Sequence, residues 1–191
     1  VAILTEADLR TLKSWKYVLD AGQHPNVPNP NRRKVVIASH LPISLVSAVG
    51  SPCLPPNNFL AVDVETAGGT TRVIGVVVRW NQKTEYVEAL SAELEATFTE
   101  HMILAGDFNL KIPNGPLSRR LVEVLDAAGL EVATAGNHTA LESERPLIDH
   151  IAVSRGLQVT DLVVWPRHDP GYADGKKEAT EHAGCSLVVG R

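Results

Sequence analysis

The chain alternates short, continuous apolar runs with polar, turn-rich segments, and only two stretches carry a helical period. Val1 to Leu4, Trp15 to Leu19, Lys34 to Ser39, Pro146 to Val153, Leu157 to Trp165 and Cys185 to Val189 read as strands, being short runs rich in branched side chains and bounded by turn residues. Asn58 to Thr66 and Thr71 to Trp80 predict a hairpin about Gly68-Gly69, because a Gly-Gly pair supplies the positive φ of a tight turn. In Tyr86 to Glu100 the apolar residues Val87, Leu90, Leu94 and Phe98 recur at helical spacing with glutamates between them, which predicts a helix with those four inside. Leu117 to Ala128 repeats the pattern with Leu117, Leu121, Val124, Leu125 and Ala128, and Gly129 stands where a helix would end.

The strand Met102-Ile103-Leu104-Ala105 runs directly into Gly106-Asp107-Phe108-Asn109. Between elements, Gln23 to Arg33 is rich in proline and asparagine and reads as a loop. Arg167 to His182 reads as a polar surface loop with a Lys176-Lys177-Glu178 charge run. Many strands with only two or three clear helices predict one layered α+β domain over residues 1–191.

Composition narrows the function classes. With 191 residues the chain is long enough to bury a substantial core, and 44% hydrophobic with 21% charged residues is ordinary for a globular protein. A net charge of -4 argues against a broad, non-specific grip on nucleic acid, although a local basic groove is compatible with it. No apolar run approaches the roughly 20 residues needed to cross a bilayer, so no membrane span is expected. The chain is expected to be soluble, either cytoplasmic or secreted after loss of a leader. Cys53 and Cys185 either pair or remain free thiols. The chain opens on Val1 in what reads as a core strand, so an upstream segment is expected.

Chemistry concentrates at strand ends. Asp107 and Asn109 lie two apart, so in extended geometry a carboxylate and a carboxamide point the same way. The bland alternative is an Asx turn closing a strand. Glu6, Asp149 with His150, and Glu181 with His182 share the same context. Carboxylates gathered at one rim repel one another unless a cation is shared, and oxygen ligands suit Mg²⁺ or Mn²⁺. His150 alternates with Asp149 and is therefore read as structural, facing the other side of its strand. His40, His101 and His168 show no partner pattern and read as surface residues. Trp15, Trp80 and Trp165 read as core or rim aromatics.

Glu6 after an apolar strand, Gly106-Asp107-Phe108-Asn109, Ile148-Asp149-His150-Ile151 and Glu181-His182-Ala183-Gly184 stand in an order that resembles the endonuclease/exonuclease/phosphatase superfamily. Ala38-Ser39-His40-Leu41-Pro42-Ile43 is similar to a strand-loop of that family. The resemblance implies a four-layer α/β/β/α sandwich of the DNase I-like type, incomplete at its N-terminus by one strand. It implies a metal-dependent phosphodiesterase, in the first place a nuclease acting on nucleic acid, with Mg²⁺ (or Mn²⁺) as cofactor. Glu6 and Glu181 would serve the metal, Asp107 the attacking water, and Asn109 the phosphate or that water. Asp149 would hold the imidazole of His182, and His182 would face the phosphoryl oxygen. Three departures accompany the likeness. No Asn-bearing strand precedes Val1, Glu181 stands where the family usually has aspartate, and Arg79-Trp80 stand where it has a histidine. Arg79 either clamps a phosphate or is an exposed arginine at a strand end. The alternatives to a nuclease are a binding module that has lost turnover and a phosphatase of a small or lipid phosphate.

Overall fold

A computed structural model describes residues 1–23, 28–47, 53–79, 81–136, 138, 147–165 and 184–190. In chain order these form β1 (Ala2–Thr5), β2 (Tyr17–Asp20), β3 (Val35–Ser39), β4 (Ile43–Ser47), β5 (Phe59–Thr66) and β6 (Gly69–Val77). Then come α1 (Lys83–Ala96), β7 (Met102–Asp107), α2 (Pro116–Ala127), β8 (Leu130–Val132), β9 (Asp149–Ser154), β10 (Gln158–Trp165) and β11 (Gly184–Gly190).

The central sheet has the order β4-β5-β6-β7-β9-β8. Its β5–β6 hairpin pairs Thr66 with Gly69, so the turn falls on Ala67-Gly68, one residue earlier than the expected Gly68-Gly69. The β6–β7 pair is the parallel one, as a connection through a helix requires, and α1 provides that crossover. The remaining neighbours in this sheet are antiparallel.

Both helices cover one face of the sheet. Val87, Leu90 and Leu94 of α1 and Leu121, Val124 and Leu125 of α2 pack with Phe59, Ile74, Met102 and Leu104. Pro116 begins α2 at a position where its missing N–H is no loss, and Gly129, at φ 73°, follows the helix end in the left-handed conformation. Phe98 is the exception to the expected inner stripe: it is 61% exposed. The Thr97 hydroxyl bonds the Glu93 carbonyl at 2.6 Å and closes α1, so Phe98 is no longer on a helix.

The opposite face carries a second β layer. Val35 and Ile37, from the antiparallel sheet β1-β3-β2, pack on Leu60, Val62 and Val73. The β10–β11 ribbon brings Val159, Leu187 and Val189 onto Ala105, Ile151 and Val153, and Ile3 joins both clusters. At Gly75 the two layers approach closely. A Cβ there would lie 2.6 Å from Val35 Cγ1 and 3.1 Å from Ile3 Cγ2. The architecture is the layered α/β sandwich expected, and among the described residues both α-helices lie on the β4–β8 sheet. Two strands escaped the sequence reading. β4 is half exposed and short of apolar contrast, and β8 spans only Leu130–Val132. Both cysteines are free thiols.

Candidate active site

The site grows from the end of β7. Met102 and Leu104 point into the helix-side core while Ile103 and Ala105 point to the second β layer. By that alternation Asp107 shares the second-layer side. Gly106, at φ 144°, sits so close to β6 that a Cβ would fall 2.0 Å from the Val76 carbonyl oxygen, which leaves no room for a side chain. Asp107 then lies between Val77 of β6 and Asp149 of β9, its register partners, and is only 6% exposed.

The strand does not continue to Asn109. Phe108 donates its N–H to the Ile148 carbonyl at 2.9 Å and buries its ring, and Asn109 turns left-handed at φ 51°. Asparagine tolerates this conformation better than most residues. The turn folds the Asn109 side chain back. Its backbone N–H bonds Asp107 Oδ1 at 2.8 Å, and its Nδ2 bonds Asp107 Oδ2 at 3.0 Å and the Val78 carbonyl at 2.9 Å. Carboxylate and carboxamide therefore meet through an Asx-type turn, not through the pleat. The bland reading of the motif and the chemical one describe the same geometry.

Asp149 lies opposite Asp107 in the antiparallel β7–β9 ladder, where facing side chains share one side of the sheet. The Cys185 thiol of β11 contacts the Asp149 carbonyl oxygen at 4.0 Å. Burial first, and the Asp149 charge second, push that thiol up to about 12, so it stays protonated. His150 faces the other way, as expected, and is 2% exposed beside the Phe108 ring. Its Nε2 lies 2.9 Å from the Leu110 carbonyl, an acceptor only, so Nε2 carries the proton. Its Nδ1 then accepts from the Thr134 hydroxyl at 3.2 Å, and Thr134 Oγ1 accepts from the Ile151 N–H at 2.9 Å. Burial holds His150 below the ordinary imidazole range, consistent with a neutral ring that supports the site from beneath.

Glu6 ends β1 in a left-handed turn at φ 53°. Its carboxylate is engaged by Lys34 Nζ at 2.6 Å and by Arg32 Nη2 at 3.7 Å, with 46% of the side chain exposed. Asp8 caps the turn that follows, accepting from the Arg10 N–H at 3.0 Å. Arg79 follows β6 half-buried and donates to Gln82 Oε1 at 3.1 Å, which places its guanidinium beside the start of α1. Glu181 and His182 lie outside the described residues, as does Trp80.

Lys83, the first residue of α1, was not singled out in the sequence. Its Nζ donates to the Asn109 carbonyl at 2.5 Å. Burial pushes its ammonium below the usual lysine range, and the negative charge of Asp107 works against that. Nearby, Asn58 Nδ2 donates to the Val77 carbonyl at 2.6 Å and Tyr86 donates its hydroxyl to the Asn58 carbonyl at 2.9 Å. These bonds tie β6, α1 and the Asp107–Asn109 turn into one unit. None had a local sequence signal, because each joins segments far apart in the chain.

The carboxylate of Glu6 is a hard oxygen donor, the right chemistry for Mg²⁺. Among the described residues, however, no three of His, Cys, Asp or Glu gather into a set able to hold a metal ion.

The chain belongs to the Endonuclease/Exonuclease/phosphatase family, whose profile matches residues 1–171. Among curated proteins none matches the sequence. Among solved structures, the endonuclease domain of TRAS1, a telomere-specific non-LTR retrotransposon, superposes with a TM-score of 0.70 at 15% identity, covering 97% of this chain and 83% of that domain. The 3'-5' exonuclease NExo from Neisseria meningitidis gives 0.61 at 18% identity, over 90% of this chain and 78% of its own. A beta toxin mutant of Staphylococcus aureus with bound magnesium ions gives 0.56 at 14% identity, over 97% and 81%. At such identities the likeness establishes the fold. No helix among the described residues is long and apolar enough to cross a membrane.

Proposed function

We propose that this chain is a divalent-metal-dependent phosphodiesterase, with nucleic acid as its first substrate class. The observation that carries the reading is the Asp107–Asn109 turn, which holds a buried carboxylate by two N–H donors at a strand end, opposite a second carboxylate. Family membership and nuclease-type structural neighbours support it.

In this reading Asp107 orients and deprotonates the attacking water, as a positioned base does. Both hydrogens of the Asn109 amide are already committed, to Asp107 and to the Val78 carbonyl. Its carboxamide oxygen can only accept, which suits a water better than an anionic phosphate. Asp149 orients the His182 ring, and His182 faces the phosphoryl oxygen that gains charge. Arg79 approaches the substrate phosphate from the β6 side. Glu6 and Glu181 are the carboxylates assigned to Mg²⁺ or Mn²⁺, which when bound would offset the charge of the phosphodiester.

A second reading, a binding module without turnover, draws support from Glu6, whose carboxylate is paired with Lys34 and Arg32. The deciding assay measures hydrolysis of a generic phosphodiester, single- and double-stranded oligonucleotides and a small phosphomonoester, with Mg²⁺, Mn²⁺ or chelator. Metal-dependent cleavage of the diesters, reduced about 10²-fold or more in Asp107→Asn, is the expected result. Oligonucleotide binding without cleavage above the Asp107→Asn background would sink the enzyme reading. Monoester cleavage alone would move the assignment to a phosphatase.

A further inference from the structure

We propose that Lys83 is a positioning residue of this site: its ammonium, tied to the Asn109 carbonyl, fixes the turn that presents both side chains and brings a positive charge to the Asp107 carboxylate. The inference rests on the phosphodiesterase reading of the Asp107–Asn109 turn and deepens it.

The geometry is specific. Lys83 opens α1, and its Nζ reaches the Asn109 carbonyl at 2.5 Å across a gap of 26 residues. Asn109 is left-handed, so this carbonyl has left the β7 ladder and accepts from α1 instead. A water or any neutral donor would satisfy a lone carbonyl. Drawing a strongly hydrated ammonium out of water to do so is unfavourable unless a negative charge stands nearby. Asp107 is that charge: it acts on Lys83 against the effect of burial. By the same interaction the ammonium favours the ionised carboxylate. From β9, Asp149 faces Asp107 with a like charge. From α1, Tyr86 is buried and held neutral, and Asp107 and Arg79 both act on it. From β11, Cys185 is a neutral thiol against Asp149. Among the described cations of the site, Lys34 and Arg32 are engaged with Glu6 and Arg79 is drawn toward Gln82, while Lys83 is the one tied to the Asp107–Asn109 turn. A base must be ionised to take a proton, so a cation beside Asp107 sets the lower pH bound of its action.

Three variants separate the roles. Lys83→Met removes bond and charge, Lys83→Gln keeps a donor for the carbonyl without charge, and Lys83→Arg keeps the charge. NMR titration of the Asp107 carboxyl carbon needs no activity. It should move up by about half to one pH unit in the Met and Gln variants, the lower end of the effect of an adjacent opposite charge, and return in Arg. With a phosphodiester substrate, kcat should fall about tenfold in Lys83→Gln with KM within about twofold, less than for a group touching the transition state. The acid limb of the rate profile should follow the titration. An Asp107 titration identical in wild type and Lys83→Gln overturns the proposal, whatever happens to melting temperature. So does an unchanged kcat in a folded Lys83→Met. A wild type inactive on every ester defeats the proposed function instead, and the Asp107 titration then decides Lys83 alone.

Discussion

Asp107 and Asp149 face each other across the β7–β9 ladder, two carboxylates in direct register. Like charges so placed are destabilising by about 0.2–1 kcal/mol. A double-substitution cycle isolates that interaction from every other partner of the two residues. Asp107→Asn and Asp149→Asn each relieve the same repulsion, so the double variant gains it only once. In chelator, the double variant should be less stable than the sum of the single effects by about 0.2–1 kcal/mol. Urea unfolding of the four proteins measures this. Strict additivity would mean that the two side chains do not sense each other.

Gly106 is enforced by a backbone clash, not by its φ angle alone. A methyl group there would meet the Val76 carbonyl oxygen at 2.0 Å, and β6 cannot move without losing its pairing with both β5 and β7. Gly115 has φ 93° but open space around its Cβ position. Gly115→Ala should therefore cost only about 1 kcal/mol. Gly106→Ala should cost about 2–4 kcal/mol, at the upper end of ordinary substitutions. Equal losses in chemical denaturation would refute the clash.

His150 makes stability fall on acidification. Burial depresses its folded-state pKa below the ordinary 6.5, against the opposing effects of the Leu110 carbonyl and the Asp149 charge. As pH drops below that value, the unfolded chain takes up the proton first. The His150 contribution is complete above about pH 6.5 and is lost as pH falls from there through the lowered folded-state pKa. His150→Gln should flatten the stability profile just below about pH 6.5, above the range where carboxylates titrate. Parallel profiles for variant and wild type would contradict a neutral, buried ring.

What the sequence made legible follows the range of the interactions. The Met102 strand, the hairpin and the inner faces Val87-Leu90-Leu94 and Leu121-Val124-Leu125 are visible because periodicity and turn residues are local. Phe98 departs from the helical stripe because periodicity does not announce where Thr97 closes a helix. Asp107 and Asn109 were paired correctly for a partly wrong reason, since the turn at Asn109 and not strand pleating brings them together. Alternation alone makes His150 structural, and its burial agrees. Lys83 stayed invisible because its partner is 26 residues away and a lysine opening an amphipathic helix looks like any solvated one.

Asn109→Asp tests the turn most severely, because it changes two N–H donors into acceptors without changing shape. The amide nitrogen faces Asp107 Oδ2 at 3.0 Å and the Val78 carbonyl at 2.9 Å. A carboxylate oxygen in its place would confront two acceptors, one of them charged. The expected loss at pH 7 is about 1–3 kcal/mol, the usual penalty for an unsatisfied buried polar group. Protonating the new acid restores one donor, so this loss should shrink as pH falls toward 5, opposite to the His150 trend. Asn109→Gly supplies the comparison. Glycine accepts φ 51° without strain but has no carboxamide. It should cost less stability than Asn109→Asp and still lose most turnover, since the carboxamide bond to Asp107 Oδ2 is gone. Guanidinium unfolding at pH 7 and 5, beside phosphodiester kinetics, measures both. If Asn109→Asp proves as stable as wild type at pH 7, the amide does not face those two acceptors, and the water-accepting role assigned to the Asn109 oxygen falls with it.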